Sequence, residues 1–97
     1  MKNDQDIPLQ KCFGLRVKEL RDGKGMTQED LADGADLFRT YISRIETGLA
    51  NPSLTVIHAL AKALAEPVAS LLSPPTQLNV PAKTFTRNSI ARGRVSR

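Results

Sequence analysis

The chain has 97 residues, of which 40% are hydrophobic, with no Trp, one Tyr and three Phe. This length limits the chain to one domain, whose small core must consist mainly of Leu, Ile, Val and Ala, a mixture that favours helices. A single cysteine, Cys12, excludes an intramolecular disulfide and a multi-cysteine zinc site, and together with the lone His58 it is too little for an ordinary metal centre.

Hydropathy and charge also bear on the location and the partners of the protein. No apolar run approaches the ~20 residues that span a membrane, and residues 1–6 are polar without a signal-peptide pattern. We therefore expect a soluble, cytoplasmic protein with no membrane partner. Residues 1–73 hold nine Lys or Arg against ten Asp or Glu, whereas residues 74–97 hold five basic residues and no acid. This basic tail could attract polyanions without any fold.

The first predicted helix runs from residue 9 to about residue 21, because its apolar residues recur at helical spacing. It ends in the segment 22–25, where either Gly23 or Gly25 can adopt the left-handed conformation of a C-cap. The apolar positions are Leu9, Phe13, Val17 and Leu20.

The second predicted helix begins after Thr27, a good N-cap, and runs to Gly34 or Ala35. Asp30 at its third position allows a capping box with Thr27. Asp36 is predicted to occupy the following turn, since Asp tolerates a positive φ better than most residues other than glycine. The buried positions are predicted to be Leu31, Ala32 and Ala35.

The third predicted helix starts near Phe38 or Arg39 and ends before Gly48. Its inward residues, Ile42 and Ile45, leave polar side chains on the other face. Such a helix can lie in a DNA major groove and offer its first turns to base edges. The polar side chains of this face are Arg39, Thr40, Ser43 and Arg44.

Two further helices and a tail complete the predicted chain. Ser53 is a good N-cap for a fourth helix, and Pro67 suits the first turn of a short fifth helix. Residues 73–75, Ser-Pro-Pro, mark a boundary between a domain at 9–73 and the basic tail at 74–97. We expect this tail to be disordered, to contact DNA as an arm, or to pair with another copy through a short strand near residues 84–86. The predicted buried stripes are Leu54, Ile57, Leu60, Ala61 and Leu64 in helix four, and Val68, Leu71 and Leu72 in helix five.

Over residues 9–72 the sequence resembles the Cro/repressor-like, Xre-type helix-turn-helix family. The matching phrases are FG at 13–14, LR at 20–21, MTQEDLA at 26–32, YISRIETG at 41–48, NPSL at 51–54 and LAKAL at 60–64. The resemblance implies an all-α, five-helix lambda-repressor-like domain that binds double-stranded DNA as a two-fold dimer. Two positions depart from the family pattern: Asp36 replaces the turn glycine, and Ala65 stands where a glycine usually ends helix four.

The resemblance also implies which residues contact DNA. Those expected to face the major groove are Arg39, Thr40, Ser43 and Arg44. Those expected to contact phosphates or the DNA backbone are Gln28 and Tyr41, with Lys24 and Asn51 as weaker candidates in turns. Because a guanidinium can donate two hydrogen bonds to O6 and N7 of guanine, Arg39 and Arg44 are the main candidates for base readout. The family pattern further pairs Arg21 with Glu46 as a structural ion pair.

An enzyme is not expected, because the sequence lacks a second His, a Cys–His motif, a phosphate-binding glycine loop and a carboxylate pair in a cleft-forming context. The predicted function is transcriptional regulation by a homodimer, without a cofactor, on a palindromic operator with half-sites ~34 Å apart. The regulator would compete with RNA polymerase or recruit it. A phage or plasmid repressor, a restriction–modification controller and a general bacterial regulator all fit this sequence. The alternative is an antitoxin-type interaction module, whose tail orders on a protein partner and whose DNA binding autoregulates.

Overall fold

The computed structural model describes residues 7–76, which form the predicted all-α arrangement of five helices. The helices are α1 (Leu9–Gly23), α2 (Gln28–Ala35), α3 (Arg39–Glu46), α4 (Leu54–Leu64) and α5 (Val68–Leu71). Helix α1 packs against α3 and α5, α4 packs against α2 and α5, and α2 packs against α3. None of the helices in this part of the chain has the length and apolar character to cross a membrane. The strand predicted near residues 84–86 lies outside the described residues.

The ends of α2 follow directly from local sequence. The Thr27 hydroxyl accepts a hydrogen bond from the Asp30 amide at 3.0 Å, and the Asp30 carboxylate accepts one from the Thr27 amide at 3.0 Å, which confirms the predicted capping box. Asp36 ends α2 in the left-handed region with φ 59°. Only residues 36–38 separate α2 from α3, so the two helices form a tightly linked pair.

The core collects apolar side chains from all five helices, including the predicted inward residues of α2 and α3. Its members are Phe13, Val17, Leu31, Ala32, Ala35, Ile42, Ile45, Ala50, Leu60, Ala61, Leu64 and Leu71. Three residues of the predicted apolar stripes are instead exposed: Leu9 at 81%, Leu54 at 74% and Leu72 at 60%. Leu9 and Leu54 are the first residues of their helices and Leu72 follows the last residue of α5. Helical periodicity continues to a helix end, whereas the cover supplied by a neighbouring helix stops short of it.

Gly14 brings the backbones of α1 and α3 close together. A Cβ placed on Gly14 would overlap the carbonyl oxygen of Ile45 and lie 2.8 Å from that of Glu46. Both acceptors belong to the backbone, so they cannot swing aside as a flexible side chain would. The absence of a side chain at residue 14 therefore sets how closely α3 sits on its support.

The packed chain continues beyond Ser73, the predicted domain boundary. Pro75 is buried, the Thr76 amide donates to a carboxylate oxygen of Glu19 at 3.0 Å, and the Thr76 hydroxyl also contacts this carboxylate. Arg16 ties α5 to α1 in the same region, donating to the Ser70 carbonyl at 2.7 Å and to its hydroxyl at 2.9 Å. A Ser-Pro-Pro segment has the composition of a linker, but here it lies along the surface of the domain.

Ala65 ends α4 with φ 56° and ψ 44°, a conformation that costs a residue with a Cβ roughly 1–2 kcal/mol. We expect Ala65→Gly to raise the free energy of unfolding by about 1 kcal/mol, because glycine adopts this conformation without that penalty. Urea denaturation followed by far-UV circular dichroism measures the change. The control is Ala69→Gly inside α5, which should lower the same free energy by about 0.5–1 kcal/mol. Equal losses for both variants would contradict a strained Ala65.

Candidate nucleic-acid interface

Helix α3 has one buried and one accessible face. Its inner face is held by Ile42, Ile45 and Glu46, all buried. Tyr41 is half-buried and packs against the core, and Ser43 is also half-buried. The exposed side chains of the helix are Arg39, Thr40 and Arg44. The face that the sequence analysis assigned to the major groove is therefore open along the first two turns.

The Arg21–Glu46 contact fixes the carboxyl-terminal end of α3 to α1. Arg21 donates from Nε to Glu46 Oε2 at 2.7 Å and from Nη2 to Oε1 at 3.0 Å, and its Nη1 donates to the Met26 carbonyl at 2.8 Å. Both residues are buried, with 8% and 5% of their surface exposed. The hydrogen bond with Glu46 raises the pKa of Arg21, so the guanidinium stays charged although it is buried. A bidentate pair of this kind restricts the orientation of α3 as well as its position.

Gln28 lies between this buried pair and the accessible face of α3. Its Nε2 donates to Glu46 Oε1 at 3.0 Å, and its Oε1 accepts a hydrogen bond from Arg39 Nη1 at 3.3 Å. The resemblance implies a phosphate contact for Gln28 and a base contact for Arg39, and in the structure the two side chains are in contact. Gln28 begins α2 and Arg39 begins α3, so the contact joins the amino-terminal ends of the two helices.

Arg44, Lys24 and Asn51, the other candidate DNA-binding residues, take no part in the contact between Gln28 and Arg39. Arg44 is exposed and donates from Nη2 to the Leu49 carbonyl at 3.2 Å, which directs its side chain toward the turn after α3. Lys24 forms an ion pair with Glu66, in the turn after α4, at 3.2 Å. Asn51 is exposed in the segment between α3 and α4. Lys24 thus has a carboxylate partner that any phosphate would have to replace.

Two features of the surface were missed by the sequence analysis. The first is the series of hydrogen bonds from Glu46 through Gln28 to Arg39. Gln28 is 18 positions from Glu46 in the chain and 11 positions from Arg39. Its only sequence signal is that long polar side chains with complementary hydrogen-bonding groups begin both helices. The second is an apolar groove of about 90 Å³ between the start of α1 and the region of α4 and α5. The residues that line this groove are Leu9, Gln10, Phe13, Asn51, Pro52, Ile57 and Leu72.

Comparisons with known proteins agree with this architecture. The helix-turn-helix family model matches residues 17–71, more than half of the chain. The control protein C.BamHI of Bacillus amyloliquefaciens is 51% identical over 53 residues, which cover 54% of this chain and 65% of that protein. The immunity repressor protein of Bacillus phage phi105 is 38% identical over 63 residues, which cover 65% of this chain and 44% of that protein. The chain thus spans less than two thirds of the length of either relative.

A solved structure shares both fold and sequence with this chain. The restriction-modification controller protein C.AhdI from Aeromonas hydrophila superposes with a TM-score of 0.63 at 42% identity, covering 64% of this chain and 94% of that one. The residues that the family model matches include the tightly linked helices α2 and α3, whose accessible face carries Arg39 and Arg44. The fold, this polar helix face and the family match over residues 17–71 show that the chain belongs to the Cro/repressor-like, Xre-type family of helix-turn-helix DNA-binding regulators.

Proposed function

We propose that this protein regulates transcription by binding a palindromic DNA operator as a homodimer. The observation that carries this proposal is the accessible face of α3, where two guanidinium groups stand on a short helix whose opposite face is buried. A helix of this kind fits the major groove, where an Arg can pair with both acceptors of a guanine. Arg39 and Arg44 are the proposed base-reading residues, and Thr40 and Ser43 contribute to the fit.

A rigid support makes this helix suitable for sequence discrimination. The α1–α3 contact at Gly14 and the bidentate Arg21–Glu46 pair fix α3 on the side that packs against α1. The donors of a recognition helix must lie at hydrogen-bonding distance from base edges. A helix that is already held in place spends less free energy on becoming ordered when it binds DNA. The proposed backbone contacts are Tyr41, Gln28, Lys24 and Asn51.

The names of the relatives support a regulatory role. They describe one protein as a control protein, one as an immunity repressor and one as a restriction-modification controller. A dimer bound at a promoter regulates by covering sites that RNA polymerase needs or by offering the polymerase a contact. No catalytic step is required for either action.

The apolar groove supports a second copy of this chain as the partner. Leu9 and Leu72, which line it together with Phe13, Pro52 and Ile57, are exposed. A two-fold axis would bring the same surface of both copies together, so that the leucines of one copy cover the groove of the other. Exposed apolar surface of this kind is removed from water when such a dimer forms.

Substitution of Leu72 tests this dimer surface. We expect Leu72→Lys to weaken self-association at least about tenfold, since a buried lysine in each copy would need to lose its hydration. Sedimentation equilibrium over a range of concentrations measures the dissociation constant. The matched control is Leu49→Lys, because Leu49 is 65% exposed but does not line the groove. Equal dissociation constants for the two variants would place the interface elsewhere.

The experiment that tests the function is selection of DNA from a randomised library, using the full chain and a variant ending at Thr76. Enrichment of the same inverted repeat by both proteins would support a dimeric operator reader whose specificity lies within the described residues. Binding by the full chain alone, without sequence preference, would show that the basic tail is the real contact. The antitoxin alternative predicts a third result: the protein that ends at Thr76 still binds the operator, but it no longer binds a protein partner that the full chain binds.

A further inference from the structure

We propose that Phe38 contacts the C5 methyl group of a thymine in the operator, at or next to the base pair that Arg39 reads. This inference rests on the proposed function, because it requires that the start of α3 lies in the major groove. It deepens that function by adding an apolar base contact to the polar side chains of the helix. The observation behind it is the aromatic side chain of the residue before α3, which is 83% exposed.

The fold does not explain why an aromatic residue stands at this position. The preceding Leu37 packs against the core, whereas Phe38 does not belong to the core or to the side chains packed against it. Phe38 is the N-cap of α3, a position where Ser, Thr, Asp and Asn are preferred because their side chains accept hydrogen bonds from the first amides of a helix. Thr27 and Ser53 cap α2 and α4 in this way, but α3 has no side-chain cap. A polar residue at position 38 would therefore suit the stability of the domain better than phenylalanine does.

The backbone holds the Phe38 ring beside the candidate base-reading side chain. The carbonyl of Phe38 accepts hydrogen bonds from the amides of Tyr41 at 2.9 Å and Ile42 at 3.2 Å, which fixes this residue to the first turn of α3. Arg39 follows directly, and consecutive Cα atoms lie about 3.8 Å apart. This spacing is close to the ~3.4 Å between successive base pairs. Because both side chains are exposed, a groove that receives Arg39 also receives the ring.

The chemistry of the two neighbouring side chains favours DNA as the partner of the ring. A surface that covers Phe38 must accept a guanidinium as well as an apolar group, because Arg39 is adjacent. The major groove offers both, since guanine presents two acceptors and thymine presents a methyl group. Contact between the ring and this methyl group removes apolar surface of both from water. Burial of one methyl group corresponds to about a three- to fivefold change in the dissociation constant.

The test replaces thymine with deoxyuridine, one position at a time, in both half-sites of the selected operator. This replacement removes the methyl group and leaves the hydrogen-bonding groups of the base in place. We expect the full chain to lose about three- to fivefold in affinity per half-site at one position, and Phe38→Ser to show no loss there. Phe38→Leu keeps an apolar side chain and should retain part of the loss. Fluorescence anisotropy at fixed salt measures each dissociation constant.

A second measurement separates a contact with DNA from a structural role of the ring. Because serine can cap α3, Phe38→Ser should unfold at a higher urea concentration than the unmodified protein, although it binds the thymine operator more weakly. A ring that stabilises the fold predicts the opposite shift. The matched control is Leu54→Ser, since Leu54 is 74% exposed and begins α4. This variant should keep the full response to deoxyuridine.

Three results would overturn the thymine contact. In the first, the full chain binds every deoxyuridine operator as tightly as the thymine operator. In the second, Phe38→Ser keeps the full response to deoxyuridine, so that another side chain contacts the methyl group. In the third, Phe38→Ser weakens self-association in sedimentation equilibrium and leaves operator affinity per dimer unchanged, so that the ring contacts protein. All three leave the proposed function intact, whereas failure of the full chain to select any operator from the randomised library would refute both.

Discussion

Replacing Glu46 with alanine is expected to lower the free energy of unfolding by about 3–5 kcal/mol, because the buried guanidinium of Arg21 would lose its carboxylate. A domain of this size has a total stability of roughly 4–10 kcal/mol, so the variant should be close to unfolding in buffer. Since the chain has no Trp, the transition is best followed by far-UV circular dichroism during urea denaturation.

The control for this prediction is the exposed pair between Lys18 and Asp22, whose side chains are both 51% exposed. Lys18→Ala should cost less than about 1 kcal/mol, because water screens and hydrates both charges. The double variant Arg21→Ala with Glu46→Ala should lose less stability than the sum of the two single variants, since no charge is then left buried alone. A loss below about 1 kcal/mol for Glu46→Ala would mean that Arg21 is readily solvated without its partner.

Replacing Arg39 with alanine is expected to remove discrimination at one base pair of each half-site, by about 5–150-fold per half-site. This range corresponds to the ~1–3 kcal/mol that one bidentate contact between Arg and guanine contributes. Preference at the remaining positions should be retained, because Arg44, Thr40 and Ser43 are unchanged. Competition binding with operators substituted one base pair at a time measures the effect.

Lys62→Ala is the control for charge, because it removes one positive charge from an exposed position on α4. Its base preferences should match those of the unmodified protein at every position. If Arg39→Ala instead weakens all duplexes to the same degree and lowers the slope of log K against log salt by about 1, Arg39 contacts a phosphate and not a base.

Much of the fold could be predicted because its signals are local. The Thr27–Asp30 capping box joins residues three positions apart, and the left-handed turn depends on the tolerance of Asp36 for positive φ. The alternation of Ile42 and Ile45 with polar residues is enough to distinguish the inner from the outer face of α3. The same periodicity places Arg39 and Arg44 on the outer face, and the resemblance to the family implies that they read bases.

The contacts that couple distant residues could not be predicted in this way. Arg21 and Glu46 are 25 positions apart, and only the resemblance to a known family paired them before the structure did. Likewise, the stripe pattern does not show that Leu9, Leu54 and Leu72 are exposed, because burial at a helix end depends on where the neighbouring helix stops.

The sequence by itself determined the five helices, their caps and the polar face of α3, because hydrogen bonds and side-chain periodicity within a few residues decide them. Only the tertiary structure showed that Gln28 connects the buried Glu46 to Arg39, and that the apolar ends of α1 and α5 form one groove. The first feature depends on how closely α1, α2 and α3 approach one another, and the second on how α1 meets α4 and α5. That approach is a property of the packed core, to which all five helices contribute.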